Sequence, residues 1–191
     1  MEAATIIKRK GNYHDLLCYC KAETVYDITY LFANRFLKTS DRTIDQMIQA
    51  ARSGKQNIIE GYAASATSIE TELRLLNVAK SSLQELLADY EDYLRTRDLK
   101  QWNEETIEFK TAQKLGKEHN DSAYWQKIIS TRNDETIANL AIILIRQADY
   151  LLYKFMESVS NRFAKEGGFR EKLTRIRHQA KEEQKKNLNN P

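Results

Sequence analysis

The amino-acid sequence predicts an all-α protein, and three observations support that prediction. The chain of 191 residues contains only one proline and six glycines, which are too few turn residues for a fold rich in β-sheet. Apolar residues recur at three- and four-residue spacing through several long segments, as they do in amphipathic helices. A chain of this length buries roughly 70% of its unfolded surface, so a single domain with an ordinary hydrophobic core is expected.

Four long helices are predicted, and the connections between them are mostly short. The third has the most regular apolar stripe, and Gly167-Gly168 marks the C-terminal end of the fourth. Short connections favour antiparallel neighbours, so we predict an up-down-up-down four-helix bundle. The first, third and fourth predicted helices span residues 13–38, 69–97 and 135–165, and the segment 45–62 forms the second.

Three further regions complete the predicted domain organisation. Residues 1–12 form a flexible arm, and the bundle occupies residues 13–166. Residues 98–133 are the least regular part, and we predict two short helices there, at about 104–118 and 122–130, lying across one end of the bundle. Residues 167–191 form a basic helical tail.

The second predicted helix carries an unusual stripe of small and polar residues. Ser53, Asn57 and Glu60 lie where a surface helix would usually show pairs of lysine and glutamate. Gly54 and Gly61 each lower the stability of the helix by about 1 kcal/mol relative to alanine at the same position. Close contact with another helix is a reason to retain both features.

The fourth predicted helix is apolar over more than one stripe, whereas a helix of a lone bundle needs only about a third of its circumference for the core. The excess is covered by the 98–133 segment, buried against a second copy of the chain, or both. We favour both, and therefore expect a homo-oligomer. The two stripes are Ile137, Leu140, Ala141, Leu144, Ala148, Leu151, Phe155 and Val159, and Ile142, Ile145, Leu152, Met156 and Phe163.

Five polar residues of the second and third helices are candidates for interhelical or intersubunit contacts: Ser53, Asn57, Glu60, Glu72 and Glu85. Carboxylates on adjacent bundle helices can also bind divalent metal, but ferritin-like sites add a Glu-x-x-His motif that this chain lacks. We favour hydrogen bonds across a helix interface and predict neither a metal nor another cofactor. No Gly-rich phosphate loop and no catalytic triad is evident, so the chain is not predicted to be an enzyme.

The net charge of +3 is small, and its positive surplus lies in the tail. Basic side chains bind phosphates by releasing counterions, which makes the tail a candidate contact for RNA or DNA. The alternative is a solvated tail that only maintains solubility. The seven cations of the tail are Arg170, Lys172, Arg175, Arg177, Lys181, Lys185 and Lys186.

The cysteine content and the apolar runs indicate the cellular environment. Cys18 and Cys20 lie two residues apart on a predicted helix, so they point to different sides and are not expected to bridge. Two such cysteines favour a reducing compartment. No apolar run approaches a signal peptide or the roughly 20 residues of a membrane span, so we expect a cytoplasmic protein without a membrane partner.

Three motifs resemble a bacterial four-helix-bundle family, the proteins encoded in intervening sequences of ribosomal RNA genes. They are Ala50–Ser53, Asn57–Gly61 and Leu75–Leu86, with Ile59 where the family has alanine. The 98–133 insertion and the basic tail resemble a longer subgroup with a C-terminal suffix. The accessory variability protein of diversity-generating retroelements, a pentameric ring that binds nucleic acid and a reverse transcriptase, is a relative of this family.

This resemblance implies a non-enzymatic, homo-oligomeric scaffold or adaptor that contacts RNA or DNA through its basic surface. Two alternatives stay open. The chain could be a protein–protein interaction module that binds no nucleic acid, or a metal-binding bundle enzyme.

Overall fold

The structure is a computed structural model that describes residues 11–38 and 42–188. The described residues form helices and connecting loops without strands, which confirms the all-α prediction. A short 3₁₀ turn, Tyr13–Asp15, precedes seven α-helices. They are α1 (Leu17–Phe36), α2 (Thr43–Ala64), α3 (Ile69–Thr96), α4 (Ile107–Glu118), α5 (Ser122–Ile129), α6 (Asp134–Glu166) and α7 (Phe169–Leu188).

The helix boundaries follow local capping chemistry. Ser68 accepts a hydrogen bond from the backbone of the first turn of α3, and Asn133 does the same for α6. Gly167 ends α6 with a φ of 73°, a conformation that glycine adopts readily. The first helix begins at Leu17, four residues later than predicted, because a 3₁₀ turn capped by Asn12 occupies the preceding residues.

The sequence predicts an N-cap for the second helix at Ser40–Asp41. These two residues and the first ten residues of the predicted flexible arm lie outside the described residues.

Helices α2 and α3 pack closely and antiparallel, and glycines permit the close approach. A Cβ at Gly54 would lie 3.0 Å from Leu83 Cδ2, and one at Gly61 would lie 3.2 Å from the Glu72 carbonyl oxygen. Gly54 faces Leu83 and Gly61 faces Glu72, so the order of contacts along α3 is reversed and the two helices are antiparallel. The expectation that these glycines serve close helix contact is confirmed.

Helices α3 and α6 are also antiparallel neighbours. Glu72, in the first turn of α3, pairs with Arg162 near the end of α6. Tyr93, near the end of α3, donates a hydrogen bond of 2.8 Å to Asp134 at the start of α6. Helix α1 packs against both α2 and α6, so these four helices enclose the hydrophobic core.

The first half of α6 is buried almost all round by its own chain. Leu140, Ile142, Ile143 and Ile145 point in different directions and are all buried. Helices α1 and α3 cover two sides, and α4 covers a third. The excess apolar surface in this half therefore supplies no argument for a second copy, and the homo-oligomer stays a prediction.

The short helices predicted within residues 98–133 are present, but they lie along the α1–α6 face rather than across one end. The end of α4 contacts Lys21, while the start and end of α5 contact Asp27 and Arg35. These contacts span nearly all of α1. In this placement Phe109 of α4 and Trp125 of α5 are buried, and removing their apolar area from water favours it.

No helix in the described ranges combines the length and apolar character that crossing a bilayer requires.

Candidate functional site

The small-polar stripe of α2 forms a hydrogen-bonded seam with α3. The hydroxyl oxygens of Ser53 and Ser82 lie 2.9 Å apart. The Asn57 amide donates to the backbone carbonyl oxygen of Ser53 at 2.9 Å and to its hydroxyl at 3.2 Å. Two of the five predicted polar residues therefore meet at this seam, and Ser82 is a partner that the sequence did not identify.

Glu72 lies in a different interface. Its side chain is 0% exposed, and its Oε2 accepts a hydrogen bond of 2.7 Å from Arg162. Removing a carboxylate from water is costly unless a counter-charge and hydrogen bonds compensate it. The arrangement therefore joins α3 to α6.

Glu60 and Glu85 do not join these contacts. Both are exposed, and the hydrogen bond that the Glu60 carboxylate accepts from a described residue is a long one, 3.4 Å, from Gln56 of the same helix. The five predicted residues thus do not converge on one site. Within the part of the chain that the structure describes, no group of three or more His, Cys, Asp and Glu side chains is placed to hold a metal ion.

The basic tail forms α7, which shares no extensive interface with α1–α6 among the described residues. Arg175, Arg177, Lys181 and Lys185 are exposed. Three of them recur every four residues, from Arg177 through Lys181 to Lys185, so they form a row along one face of the helix. The side chains of the other three predicted cations, Arg170, Lys172 and Lys186, lie outside the described residues.

The charge of α7 contrasts with that of the rest of the chain. Of 30 lysines and arginines and 27 acids, α7 contains seven and three, which leaves 23 and 24 elsewhere. The remainder is therefore almost neutral, and the positive surplus is confined to one exposed helix.

Sequence reasoning missed a buried lysine in α1. The side chain of Lys21 is 1% exposed, and its ammonium donates hydrogen bonds to the carbonyl oxygens of Gly116 and, at 3.1 Å, His119. Both carbonyls belong to the end of α4, where the helix dipole favours a cation. Burial lowers the pKa of Lys21 to about 8, because the charged form is poorly solvated there.

A second polar side chain, Gln147, lies against Gly116. The Gln147 amide donates to the Gln113 carbonyl at 2.9 Å, while its Oε1 is buried and accepts no hydrogen bond from the described residues. A Cβ added at Gly116 would lie only 2.9 Å from the Gln147 amide carbon. Gly116 thus contacts both side chains: its carbonyl oxygen accepts from the Lys21 ammonium, and its Cα lies against the Gln147 amide.

Asn139 fastens the insertion to α6. Its amide nitrogen donates to the carbonyls of Lys100 and Glu135, each at 2.9 Å, and its Oδ1 accepts from the Trp102 backbone at 2.7 Å. These bonds satisfy the side chain of a buried asparagine. A lone asparagine within an apolar helix is the signal that sequence analysis could have used.

The cysteines are free, as predicted. Cys18 is buried, and burial raises the pKa of its thiol to about 12. The thiolate is the reactive form of cysteine, and a thiol with this pKa stays protonated at neutral pH. Cys18 therefore packs as an unreactive side chain. Cys20 is half-buried, and its sulfur donates a hydrogen bond to the His14 carbonyl.

Comparisons with protein-family models, with curated proteins and with solved structures find no match for this chain.

Proposed function

We propose that this protein is a non-enzymatic helical adaptor that binds RNA or DNA through α7. The observation that carries the proposal is the row formed by Arg177, Lys181 and Lys185, which are exposed on a helix that shares no extensive interface with α1–α6 among the described residues. Neighbours four residues apart have Cβ atoms about 5–6 Å apart, so the row can follow successive phosphates. The rest of the chain has 23 cations and 24 acids, so its net charge adds no long-range attraction for a polyanion.

The proposed architecture is an up-down-up-down bundle of α1, α2, α3 and α6, with α4 and α5 as an insertion and α7 as an appended arm. The antiparallel pairs α2–α3 and α3–α6, together with the short connection between α1 and α2, support it. We also propose membership of the intervening-sequence protein family, on the motifs Ala50–Ser53, Asn57–Gly61 and Leu75–Leu86.

Self-association is part of the same proposal. Several copies would bring several α7 rows to one polyanion, and the second contact is then intramolecular and raises the avidity. Tyr153 in the second half of α6 is exposed, and its large apolar area suits an interface between copies. Light scattering at micromolar concentration tests this part, since a mass of 22.3 kDa is that of a monomer and excludes assembly.

The test of nucleic-acid binding compares two variants that each lose three exposed cations. One replaces Arg177, Lys181 and Lys185 of α7 by glutamine. The control replaces Lys110, Lys114 and Lys127 of α4 and α5, which are equally exposed. The probes are a single-stranded RNA of about 30 nucleotides and a DNA duplex of about 30 base pairs. Each is titrated with protein at several salt concentrations.

The α7 variant is expected to bind more weakly and with a shallower salt dependence. Loss of three phosphate contacts reduces the slope of log K against log salt by about 2.7 for duplex DNA and about 2.1 for a single strand. The control should keep the wild-type slope. Equal losses in both variants, or unchanged binding in the α7 variant, would exclude α7 as the binding element.

The alternative is a protein–protein interaction module without nucleic-acid contact. Half-buried Leu173 and Ile176 give α7 an apolar stripe beside its basic row, and such a helix also suits a groove on another protein. Absence of RNA and DNA binding by the wild type at low salt, with retention of a protein through α7, would favour this alternative. For a metal-binding enzyme, elemental analysis of purified protein is the direct check.

A further inference from the structure

A cleft of 570 Å³ lies where α1, α4 and α6 meet. Its walls are mainly apolar, and Phe109, Ile143 and Leu151 contribute to them. Leu17 and Tyr150 also line it, and their side chains are 54% and 60% exposed. The volume falls within the range of about 300–1,000 Å³ that small-molecule sites occupy.

Polar groups of the cleft gather on either side of Gly116. The Lys21 ammonium uses two of its three donors on carbonyl oxygens, and no described carboxylate pairs with it. On the other side, the Gln147 Oε1 is a buried acceptor without a donor among the described residues. A carboxylate only accepts hydrogen bonds, so an anion would be recognised by the cations of the lining and not by this oxygen. Polar groups at one place in an apolar cavity orient a ligand.

The charge of the lining is positive. Lys21, Lys117 and Arg146 contribute three cations, and Glu104 contributes one carboxylate. Arg146 already pairs with Glu91 at 2.9 Å, whereas Lys21 has only helix-end carbonyls as partners. An anion entering the cleft would supply the counter-charge that this buried cation lacks.

We propose that the cleft binds a small amphipathic carboxylate. The apolar body would lie on Phe109, Ile143 and Tyr150, and the carboxylate would face Lys117 and the charge of Lys21. This site is separate from α7, so it neither requires nor excludes the proposed nucleic-acid contact.

The test uses three probes, 4-phenylbutyrate, 1-naphthylacetate and decanoate, each beside its neutral primary amide. Binding to the full chain is followed by backbone amide NMR at pH 7. We expect shifts at Lys21, Gly116 and Gln147 for at least one acid at millimolar concentration, and binding of the matching amide about tenfold weaker. No shift with any acid, or equal binding of acid and amide, would overturn the proposal.

Two matched variants place a negative charge inside and outside the cleft. Leu17 and Ile107 are exposed apolar residues, and each is the first residue of its helix. Glutamate is favourable at a helix start, so neither L17E nor I107E should disturb folding. Only Leu17 lines the cleft.

L17E should weaken binding of the carboxylate about tenfold and leave the amide unaffected, whereas I107E should bind like the wild type. Lys21→Met provides an independent check, because it should abolish the preference for the acid over the amide. Wild-type affinity in L17E, or an undiminished acid preference in folded Lys21→Met, would contradict the proposal.

Discussion

Glu72 and Lys21 are both almost fully buried, yet the chain compensates their charges in different ways. Glu72 receives a full counter-charge from Arg162, 2.7 Å away across the α3–α6 interface. Lys21 receives only the partial negative charge of the α4 end, through the carbonyls of Gly116 and His119. A helix end carries about half an elementary charge, so the compensation of Lys21 is the weaker of the two.

The difference has structural consequences. The Glu72 pair joins two long core helices, so breaking it affects the body of the fold. Lys21 fastens the end of α4, part of the insertion, onto α1. Its loss should loosen the insertion more than the core.

The largest effect is expected for Arg162→Met. The change removes the Arg162 guanidinium from the buried Glu72 carboxylate, and loss of one member of a buried ion pair costs about 3–5 kcal/mol of the free energy of unfolding. Denaturant unfolding measures it. The control is Arg95→Met, which removes an exposed ion pair with Asp92 at a similar distance, 2.7 Å, and should cost under about 1 kcal/mol.

The double variant Glu72→Met with Arg162→Met sharpens this result. Replacing both members of a buried pair by apolar groups removes the uncompensated charge, so most of the stability lost in the single variant should return. A double variant as unstable as Arg162→Met alone would mean that packing at Arg162, rather than its charge, accounts for the loss.

A smaller effect is expected for Lys21→Met at pH 7. The change leaves two carbonyl oxygens without their donor but also removes a buried cation, so a net loss of about 1–2 kcal/mol is expected. Lys154→Met is the matched control, because Lys154 is exposed. Hydrogen exchange should rise first in α4 and α5, and a rise confined to α2 and α3 would contradict the assigned role of Lys21.

The two charges also differ in what the sequence could predict. The regular apolar seam of α3 shows which side of the helix faces the core. This pattern allowed the sequence to predict a polar interhelical contact for Glu72. Its partner Arg162 lies 90 residues later, and only the packing of α3 on α6 brings the two together. Lys21 looks like an ordinary surface lysine, and its burial depends on α4, whose Gly116 lies 95 residues away.

Local signals were sufficient elsewhere. Ser68 and Asn133 cap helices through bonds to residues three positions later, and Gly54 and Gly61 marked a close helix contact. These features depend on neighbours in sequence or on one adjacent helix. The cleft beside Gly116 depends on three helices and had no local signal.

The last effect concerns the pH dependence of the free energy of unfolding. Because the pKa of Lys21 is about 8 in the folded chain and ordinarily 10.5, the folded state releases a proton above pH 8 that the unfolded state retains. The unfolded state then binds more protons, so this group stabilises the fold increasingly from about pH 8 to 10.5. Cys18 acts oppositely, since its raised pKa removes stability as the pH rises above 9.

The contribution of Cys18 is the same in the wild type and in Lys21→Met. The measurement is therefore the difference in unfolding free energy between these two proteins, at pH 7.5 and 9.5. This difference should grow with pH, and a constant difference would show that the Lys21 ammonium is as well stabilised in the fold as in water.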